Sequence, residues 1–394
     1  MSFTLTPVYG DDFIGRKEVI SELVQELSSK NRIGFSISGI RRIGKTSILR
    51  EVERRLLRER KDIRIIYVSV WRVSPSTVDE FVHVMNRATL AAFENALPAR
   101  FRFEELLTSG ARALGRLLEN LKLSSNVTDD LEVSVSYVRG ESTDVDAAIT
   151  KSLSLPEHLS QMTKKKCVLM IDEFPSLEEL KFGSKNRTIG ESMIKLVRTL
   201  YEDFRLTKLV ISGSYRDTME NLVTKSKAPF YKQLLLREIG PFSVAEFGEF
   251  ISHYLADLRF VDDRARKDLY KVSSGIPYNL QLLGKEIRFQ NLNLIGSKEI
   301  DRTVQSVLAK EGDLSFREFV EDLTPSDVKV LKALAKSPML KPTEIAAEQF
   351  MEDGTVRTSL NQLVKRGTIT RLVRGQYGFT DNLFAVWLRR SDEL

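Results

Sequence analysis

One cysteine, Cys167, stands in 394 residues, so no internal disulfide exists. Such a chain suits a reducing compartment. The histidines, His83, His158 and His253, are scattered, and with a single Cys they make no zinc-site spacing. No apolar run approaches the roughly 18 residues of a membrane-crossing helix. The first residues, Met1 to Pro7, lack the basic region and apolar stretch of a signal peptide. The expectation is a cytoplasmic protein with no membrane partner, in which the glycosylation patterns at Asn126-Val127-Thr128 and Asn186-Arg187-Thr188 have no meaning. Excess charge is also small. Sixty Lys+Arg against 54 Asp+Glu give a formal net charge of +6. That balance permits nucleic acid as a partner without demanding it.

What is present is ordinary globular material, 42% hydrophobic, long enough for two or three domains. Near its start, Gly39-Ile40-Arg41-Arg42-Ile43-Gly44-Lys45-Thr46 reads G-x-x-x-x-G-K-T, the phosphate-binding loop of P-loop NTPases. Ile33 to Ser38 before it has strand character. After it, Ile48, Leu49, Val52, Leu56 and Leu57 recur at helical spacing. Strand, glycine loop and helix is the order the motif needs. Glycines let backbone N–H groups wrap phosphates, and the helix N-terminus adds favourable dipole charge.

A phosphate loop needs a metal holder and a water activator, and Cys167-Val168-Leu169-Met170-Ile171-Asp172-Glu173 supplies both. Its apolar run reads as a strand buried on both faces. The acids at its C-terminal end sit where open α/β sheets bind ligands. Asp172 and Thr46 are the expected Mg²⁺ ligands, Glu173 the group that polarises the attacking water, and Lys45 the cation on the β- and γ-phosphates. Further strands are expected at Ile63–Val70, Lys208–Ser214 and Leu234–Ile239. Alternation with helices makes the sheet parallel. Ser212 or Ser214, ending the fourth strand, is placed to touch the γ-phosphate or water; a plain strand-to-loop turn explains it equally. ATP is favoured over GTP, because the nearest match to the guanine-reading N/T-K-x-D motif, Thr207-Lys208-Leu209-Val210, lacks its acid. Kinase signatures are absent.

Five short motifs in order carry a family resemblance. They are Phe13-Ile14-Gly15-Arg16-Lys17-Glu18, then Gly39-Ile40-Arg41-Arg42 with Gly44-Lys45-Thr46-Ser47, then Ile171-Asp172-Glu173-Phe174, then Gly275-Ile276-Pro277, and finally Tyr377-Gly378-Phe379-Thr380-Asp381 with Phe384 and Trp387-Leu388-Arg389. With these the chain resembles the archaeal-type ATPase family, which belongs with the signalling-type (STAND) and origin-recognition-like AAA+ ATPases. The resemblance implies that Phe13, Gly15 and Arg16 lie against adenine. It implies that Gly39, Arg41, Arg42, Ile43, Gly44, Lys45, Thr46 and Ser47 surround the phosphates, and that Pro277 brings a lid to the nucleotide. Two departures stand out. Where the family often has P-L-Y-G-R, this chain reads Pro229-Phe230-Tyr231-Lys232-Gln233, without the arginine that acts on a neighbour's nucleotide. The fourth strand ends in Ser212-Gly213-Ser214 rather than in the asparagine of replicative relatives. Both argue against a fast ring motor.

The expected architecture is α/β: a P-loop parallel-sheet core over 1–240 with an insertion at about 72–161, a helical lid over 241–315, and a C-terminal winged helix-turn-helix over 316–394. Ser243-Val244-Ala245-Glu246 reads as a capping box opening the lid, and Thr324-Pro325-Ser326-Asp327 as a helix start. In the insertion, helices are expected from Thr77 to Leu97 and from Phe103 to Leu121. The alternating Leu131–Tyr137 segment reads as a strand. Either a protein partner or plain decoration of the sheet edge accounts for the insertion. Residues 315–394 hold 12 Lys+Arg and 11 Asp+Glu, yet Gly354 to Thr380 holds five bases and no acid. Arg357, Asn361, Gln362 and Lys365 on the third helix, with Arg371 and Arg374 on the wing, are the expected duplex-DNA contacts. The rival expectation is a signalling switch whose winged helix contacts protein. An oligomer is left open.

Overall fold

The computed structural model describes residues 3–96, 123–182, 191–214, 216–225 and 228–391, together with 107, 108, 116, 118, 187 and 188. Five parallel strands form the core: β1 (Gly34–Ser38), β2 (Ile63–Ser69), β3 (Lys166–Asp172), β4 (Thr207–Gly213) and β5 (Leu234–Glu238). Their spatial order is β2-β3-β4-β1-β5. The three central strands are buried almost throughout, as a sheet covered on both faces requires.

Strand alternation divides that burial between two layers. Val168, Met170 and Val210 meet α1 (Lys17–Ser28) and α2 (Lys45–Glu59) through Leu23, Leu27, Ile48, Val52 and Leu56. Leu57, expected on this inner face, is exposed instead. Cys167, Leu169, Ile171, Leu209 and Ile211 face the other way. There they meet α3 (Val78–Phe93), α4 (Ser125–Val138), α5 (Val145–Thr163), α6 (Glu191–Asp203) and α7 (Arg216–Val223). Cys167 is fully buried, and burial pushes its thiol well above the usual range.

The insertion therefore supplies much of one helical layer. Glu157 of α5 accepts hydrogen bonds from the N–H groups of Arg205 (2.8 Å) and Thr207 (2.8 Å), fixing the entry to β4. The expected strand at Leu131–Tyr137 is helical, inside α4. The alternation misled because polar residues point inward here. Asp130 and Ser134 are fully buried beside Val127, Leu131 and Val135, completing a helical stripe. Asp130 is compensated by His158 at 2.5 Å and Lys151 at 3.4 Å. Helix α3 starts as expected, with Thr77 accepting from the Glu80 N–H, and gives way to a 3-10 turn at Glu94–Ala96. The helix expected at Phe103–Leu121 lies largely outside the described residues.

The segment read as a lid holds α8 (Val244–Tyr254), α9 (Asp263–Ser273), α10 (Pro277–Phe289), α11 (Ser297–Val307) and α12 (Asp313–Glu321). The Ser243/Glu246 capping box opens it as read. Then come α13 (Pro325–Lys336), capped by Thr324 and Asp327, α14 (Pro342–Gln349) and α15 (Asp353–Lys365). An antiparallel hairpin of β6 (Ile369–Arg371) and β7 (Tyr377–Phe379) precedes α16 (Asn382–Ser391). Lid and C-terminal helices share one apolar cluster. Phe316 and Phe319 of α12 pack on Phe384 and Trp387 of α16, so the border read between 315 and 316 falls inside a helix. Among the described residues no helix is long and apolar enough to cross a membrane.

The N-terminal segment ties lid to core. Phe3 stacks on Tyr254 at 5.2 Å. The Thr4 N–H donates to Gln281 (3.2 Å), that of Val8 to Ser47 (3.1 Å) and that of Gly10 to Glu51 (2.9 Å). Burial raises the Glu51 pKa, but hydrogen bonds from Arg54, the Gly10 N–H and Arg55 outweigh it and bring it down from 4.5 to about 2. A depressed carboxylate stabilises the fold above its unfolded value, and that stability drains as pH falls through the folded value. Glu51→Gln is expected to lower the melting temperature at pH 7 and to flatten its decline between pH 4.5 and about 2. Thermal melts across that range check this; parallel declines in the two proteins would remove Glu51 from the account.

Candidate active site

The carboxyl ends of β1, β3 and β4 open onto a cavity of about 520 Å³ closed on its far side by the lid. One end is polar, lined by Arg41 to Ser47, Tyr67, Asp172, Glu173 and Ser214. The other is apolar, lined by Phe13, Ile14, Phe242, Phe250, Tyr254 and Pro277. A volume in this range holds one nucleotide-sized ligand. The division into ends suits a flat base beside a charged tail.

The loop between β1 and α2 bends through two left-handed residues, Arg42 (φ 69°) and Gly44 (φ 100°). Helix α2 begins at once, so the first-turn N–H groups have no partner within the helix. Lys45 is only 5% exposed. Its ammonium donates to the carbonyls of Gly39 (3.0 Å) and Ile40 (3.3 Å) and to Ser214 Oγ (3.0 Å), and lies 3.9 Å from Glu173. Burial lowers its pKa; Glu173 and Asp172 offset part of that.

Asp172 collects hydroxyls from three elements. Thr46 of α2 and Tyr67 of β2 each donate at 2.7 Å, and Ser212 of β4 donates to the other oxygen. Burial, and then the Asp172 charge, push the Tyr67 phenol above its usual range, so it stays a donor. The Arg50 guanidinium lies 3.4 Å from the centre of the Tyr67 ring. Glu173 is left-handed (φ 54°). Its carboxylate accepts from Ser214 Oγ at 2.6 Å and from the Ser214 N–H at 3.2 Å. A carboxylate and a hydroxyl side by side form the all-oxygen donor set that Mg²⁺ prefers, and the Thr46–Asp172 pair fits that ion.

Most residues expected from sequence meet here. Phe13, Arg16, Arg41, Arg42, Ile43, Gly44, Lys45, Thr46, Ser47, Asp172, Glu173, Ser214 and Pro277 all line the cavity. Gly39 and Gly15 do not. A Cβ on Gly39 would sit 2.6 Å from the Ile239 carbonyl oxygen, and one on Gly15 2.9 Å from Glu246 Oε1. Both glycines therefore serve close chain approaches behind the wall. Arg16 is turned to the hinge, the connection between β5 and α8: its guanidinium donates to the Gly240 carbonyl (2.6 Å) and lies over Phe242. Its N–H donates to Glu246 at 2.7 Å. Sequence reasoning missed Tyr67, Trp71, Tyr278 and Gln281, which also line the cavity. The only available signal for Tyr67 was a phenol midway along an expected strand. The nucleic-acid candidates lie apart, on α15 and the hairpin. Arg357, Asn361, Gln362, Lys365 and Arg371 are exposed. Arg357 pairs with Asp353 at 2.6 Å, and Arg371 donates to Asn361 at 2.5 Å. The Arg374 side chain lies outside the described residues.

This loop, acidic strand end and divided cavity define a nucleotide-binding P-loop protein. Residues 13–283 match a family described as an ATPase domain predominantly from Archaea, and the chain belongs to that family. Among solved structures it is similar to the Walker-type ATPase PABY2304 of Pyrococcus abyssi, at 20% identity over 99% of this chain and 100% of that one, with a TM-score of 0.67. It is also similar to the ORC2 protein of Aeropyrum pernix, solved as ADPNP-ADP complexes, at 11% identity over 100% of both chains, with a TM-score of 0.58. At these identities the likeness is one of fold. No curated protein sequence matches the chain. The protein is an archaeal-type P-loop ATPase, and its fold is shared with those two structures.

Charge-assisted hydrogen bonds are worth roughly 1.5–3 kcal/mol. Lys45→Ala is therefore expected to raise the Kd for ATP by at least ~10-fold. Titration with a fluorescent ATP analogue reads this, and an unchanged Kd would move the phosphate site elsewhere.

Proposed function

We propose that the chain binds Mg-ATP in this cavity, hydrolyses it slowly, and couples its nucleotide state to duplex DNA held by α13–α15 and the hairpin, read as a winged helix-turn-helix. The observation that carries the coupling is contact between the phosphate loop and the C-terminal region. Arg42 lies 4.2 Å from the centre of the Tyr278 ring in the lid. The next residue, Asn279, donates to Asp381 at 2.8 Å, just after the hairpin. Gly367, which precedes the hairpin, approaches Ile40 so closely that a Cβ there would lie 3.2 Å from the isoleucine side chain. A change at the loop thus meets the C-terminal region through one residue layer.

Within the cavity each side chain has one task. Lys45 neutralises the β- and γ-phosphates. Thr46 and Asp172 would hold Mg²⁺, which would supply charge neutralisation at the phosphates. Tyr67 and Ser212 fix the Asp172 carboxylate. Glu173 accepts the proton of the attacking water, and Ser214 orients Glu173. The absence of an arginine at Tyr231-Lys232-Gln233 argues against fast hydrolysis driven from a neighbouring subunit.

The DNA reading is supported by the distribution of bases. Arg357, Asn361 and Lys365 recur at i, i+4 and i+8 on the exposed side of α15, and Arg371 stands on the adjoining strand. A third helix enters the major groove while a wing meets the backbone. The Asp353–Arg357 pair is exposed, so its worth is small and a phosphate displaces it readily.

Two experiments test these assignments. Glu173→Gln is expected to leave ATP affinity near wild type and to depress turnover ~10²-fold or more, the range of general-base catalysis. Asp172→Asn weakens Mg²⁺ dependence and binding together. Equal single-turnover rates for Glu173→Gln and wild type would assign water activation to another group. For DNA, Arg357, Lys365, Arg371 and Arg374 are neutralised together. If all four touch phosphate, the salt slope of log affinity falls by about 3.6. Fluorescence anisotropy on duplex DNA over a salt series measures it. An unchanged slope and affinity in a folded variant would favour the signalling-switch reading, with the C-terminal region docking on protein.

A further inference from the structure

We infer that Arg72 is the arginine this chain places against the γ-phosphate from within its own subunit, where it stabilises the charge of the transferring phosphoryl group. The inference rests on the site assignment proposed above and adds a residue to it.

Position comes first. Arg72 ends the 3-10 turn Val70–Arg72 that leaves β2. Parallel pairing sets Ser69 of β2 opposite Asp172 of β3. The turn is thereby delivered beside the two acids, and Arg72 lines the same cavity as Lys45, Asp172 and Glu173. Its backbone is pinned from both sides, since Val70 and Val73 are buried. Trp71 pins it further by donating from its indole nitrogen to Ser176 Oγ at 3.0 Å, in the turn that follows Glu173. The main chain is anchored while the Arg72 side chain is exposed.

Elimination comes second. The other arginines lining the cavity have protein partners. Arg16 is bound to the hinge carbonyls of Gly240 and Pro241. Arg41 lies over the Trp71 ring at 5.4 Å, and Arg42 over the Tyr278 ring at 4.2 Å. Among the described residues Arg72 has no hydrogen bond, ion pair or ring contact. A planar guanidinium is the group best matched to two oxygens of one phosphate. An anchored backbone keeps the cost of ordering it low. The segment Pro229-Phe230-Tyr231-Lys232-Gln233 offers no arginine for a neighbouring subunit's nucleotide, which leaves this role open to Arg72.

The chemical step balances. The water oxygen bonds to the γ-phosphorus and its proton passes to Glu173. The bond from phosphorus to the bridging β–γ oxygen breaks, and that oxygen keeps the electron pair as ADP leaves. Arg72 donates two N–H groups to the equatorial oxygens and neither gains nor loses a proton.

The test uses the full chain with Mg-ATP. Arginines in this role are worth ~10³–10⁵ in turnover elsewhere. Arg72→Ala is expected to cut kcat by ~10³-fold while the Kd for ADPNP stays within about threefold. Stable binding of ADP with aluminium fluoride, a transition-state mimic, is lost. Arg72→Lys recovers part of both. Mixing Arg72→Ala with Lys45→Ala leaves both inactive, because the two groups must serve one nucleotide in one chain. A kcat within twofold of wild type for Arg72→Ala overturns the inference, as does recovered activity in the mixture. Failure of the underlying site assignment has a different signature: Lys45→Ala would then bind ADPNP as well as wild type does, whatever Arg72→Ala shows.

Discussion

The Asp172 carboxylate is the point on which the core depends. Burying a charge is costly unless it is paired and hydrogen-bonded. Asp172 is 2% exposed, and three hydroxyls from three different elements compensate it. Those donors converge only in one register. Ser69 of β2 lies opposite Asp172, and Ile171 lies opposite Ile211, so Ser212 follows beside Asp172. A one-residue slip would turn every side chain of β3 to the opposite layer. The apolar residues would then lose their helices and Asp172 its hydroxyls. Core packing and the polar end of the cavity are one constraint.

The next residue shows how that constraint is bent to chemical use. Adjacent strand residues point to opposite faces, so two consecutive acids would ordinarily diverge. Glu173 escapes by turning left-handed, a conformation that costs a non-glycine residue of the order of 1 kcal/mol. Two hydrogen bonds from Ser214 offset it. Both acids then line one cavity. The hinge follows the same logic. Glu246 caps α8 through Ser243 and simultaneously accepts the Arg16 N–H, so the lid's first turn is also a bond to the core. Asp381 plays a comparable part at the far end. Burial raises its pKa, and hydrogen bonds from the Leu383 N–H, Asn279 and the Phe384 N–H work against that rise. It starts α16 and grips the lid at once.

Much of this could be read in the chain. The loop Gly39–Thr46, the buried strand ending in Asp172 and Glu173, and the capping boxes at Ser243 and Thr324 are local patterns with local causes. They fell where expected. What escaped has nonlocal causes. The segment Leu131–Tyr137 alternates like a strand only if Ser134 is assumed to face water, and it does not. Asp130, just before it, is buried too, and its partners, Lys151 and His158, lie on another helix. Tyr67 and Tyr278 joined the site through sheet register and lid position, neither of which leaves a spacing in the sequence. Gly15 and Gly39, expected as ligand contacts, stand outside the cavity lining at close chain approaches.

In the proposed cycle, the same network gives the nucleotide a way to act as a signal. Lys45 donates to Ser214, and Ser214 donates to Glu173. The cation for the phosphate and the base for the water are thus joined through one hydroxyl. A ligand moves such an arrangement only by binding one form better than the other. A γ-phosphate does so, because it offers Lys45 a full negative charge in place of the Gly39 and Ile40 carbonyls. Releasing Ile40 matters beyond the cavity, since Gly367 is packed against its side chain. ADP offers Lys45 only the β-phosphate, so its pull on the ammonium is weaker. On the proposed coupling, the difference between the two nucleotides would reach the C-terminal region as a change in how one loop residue is held.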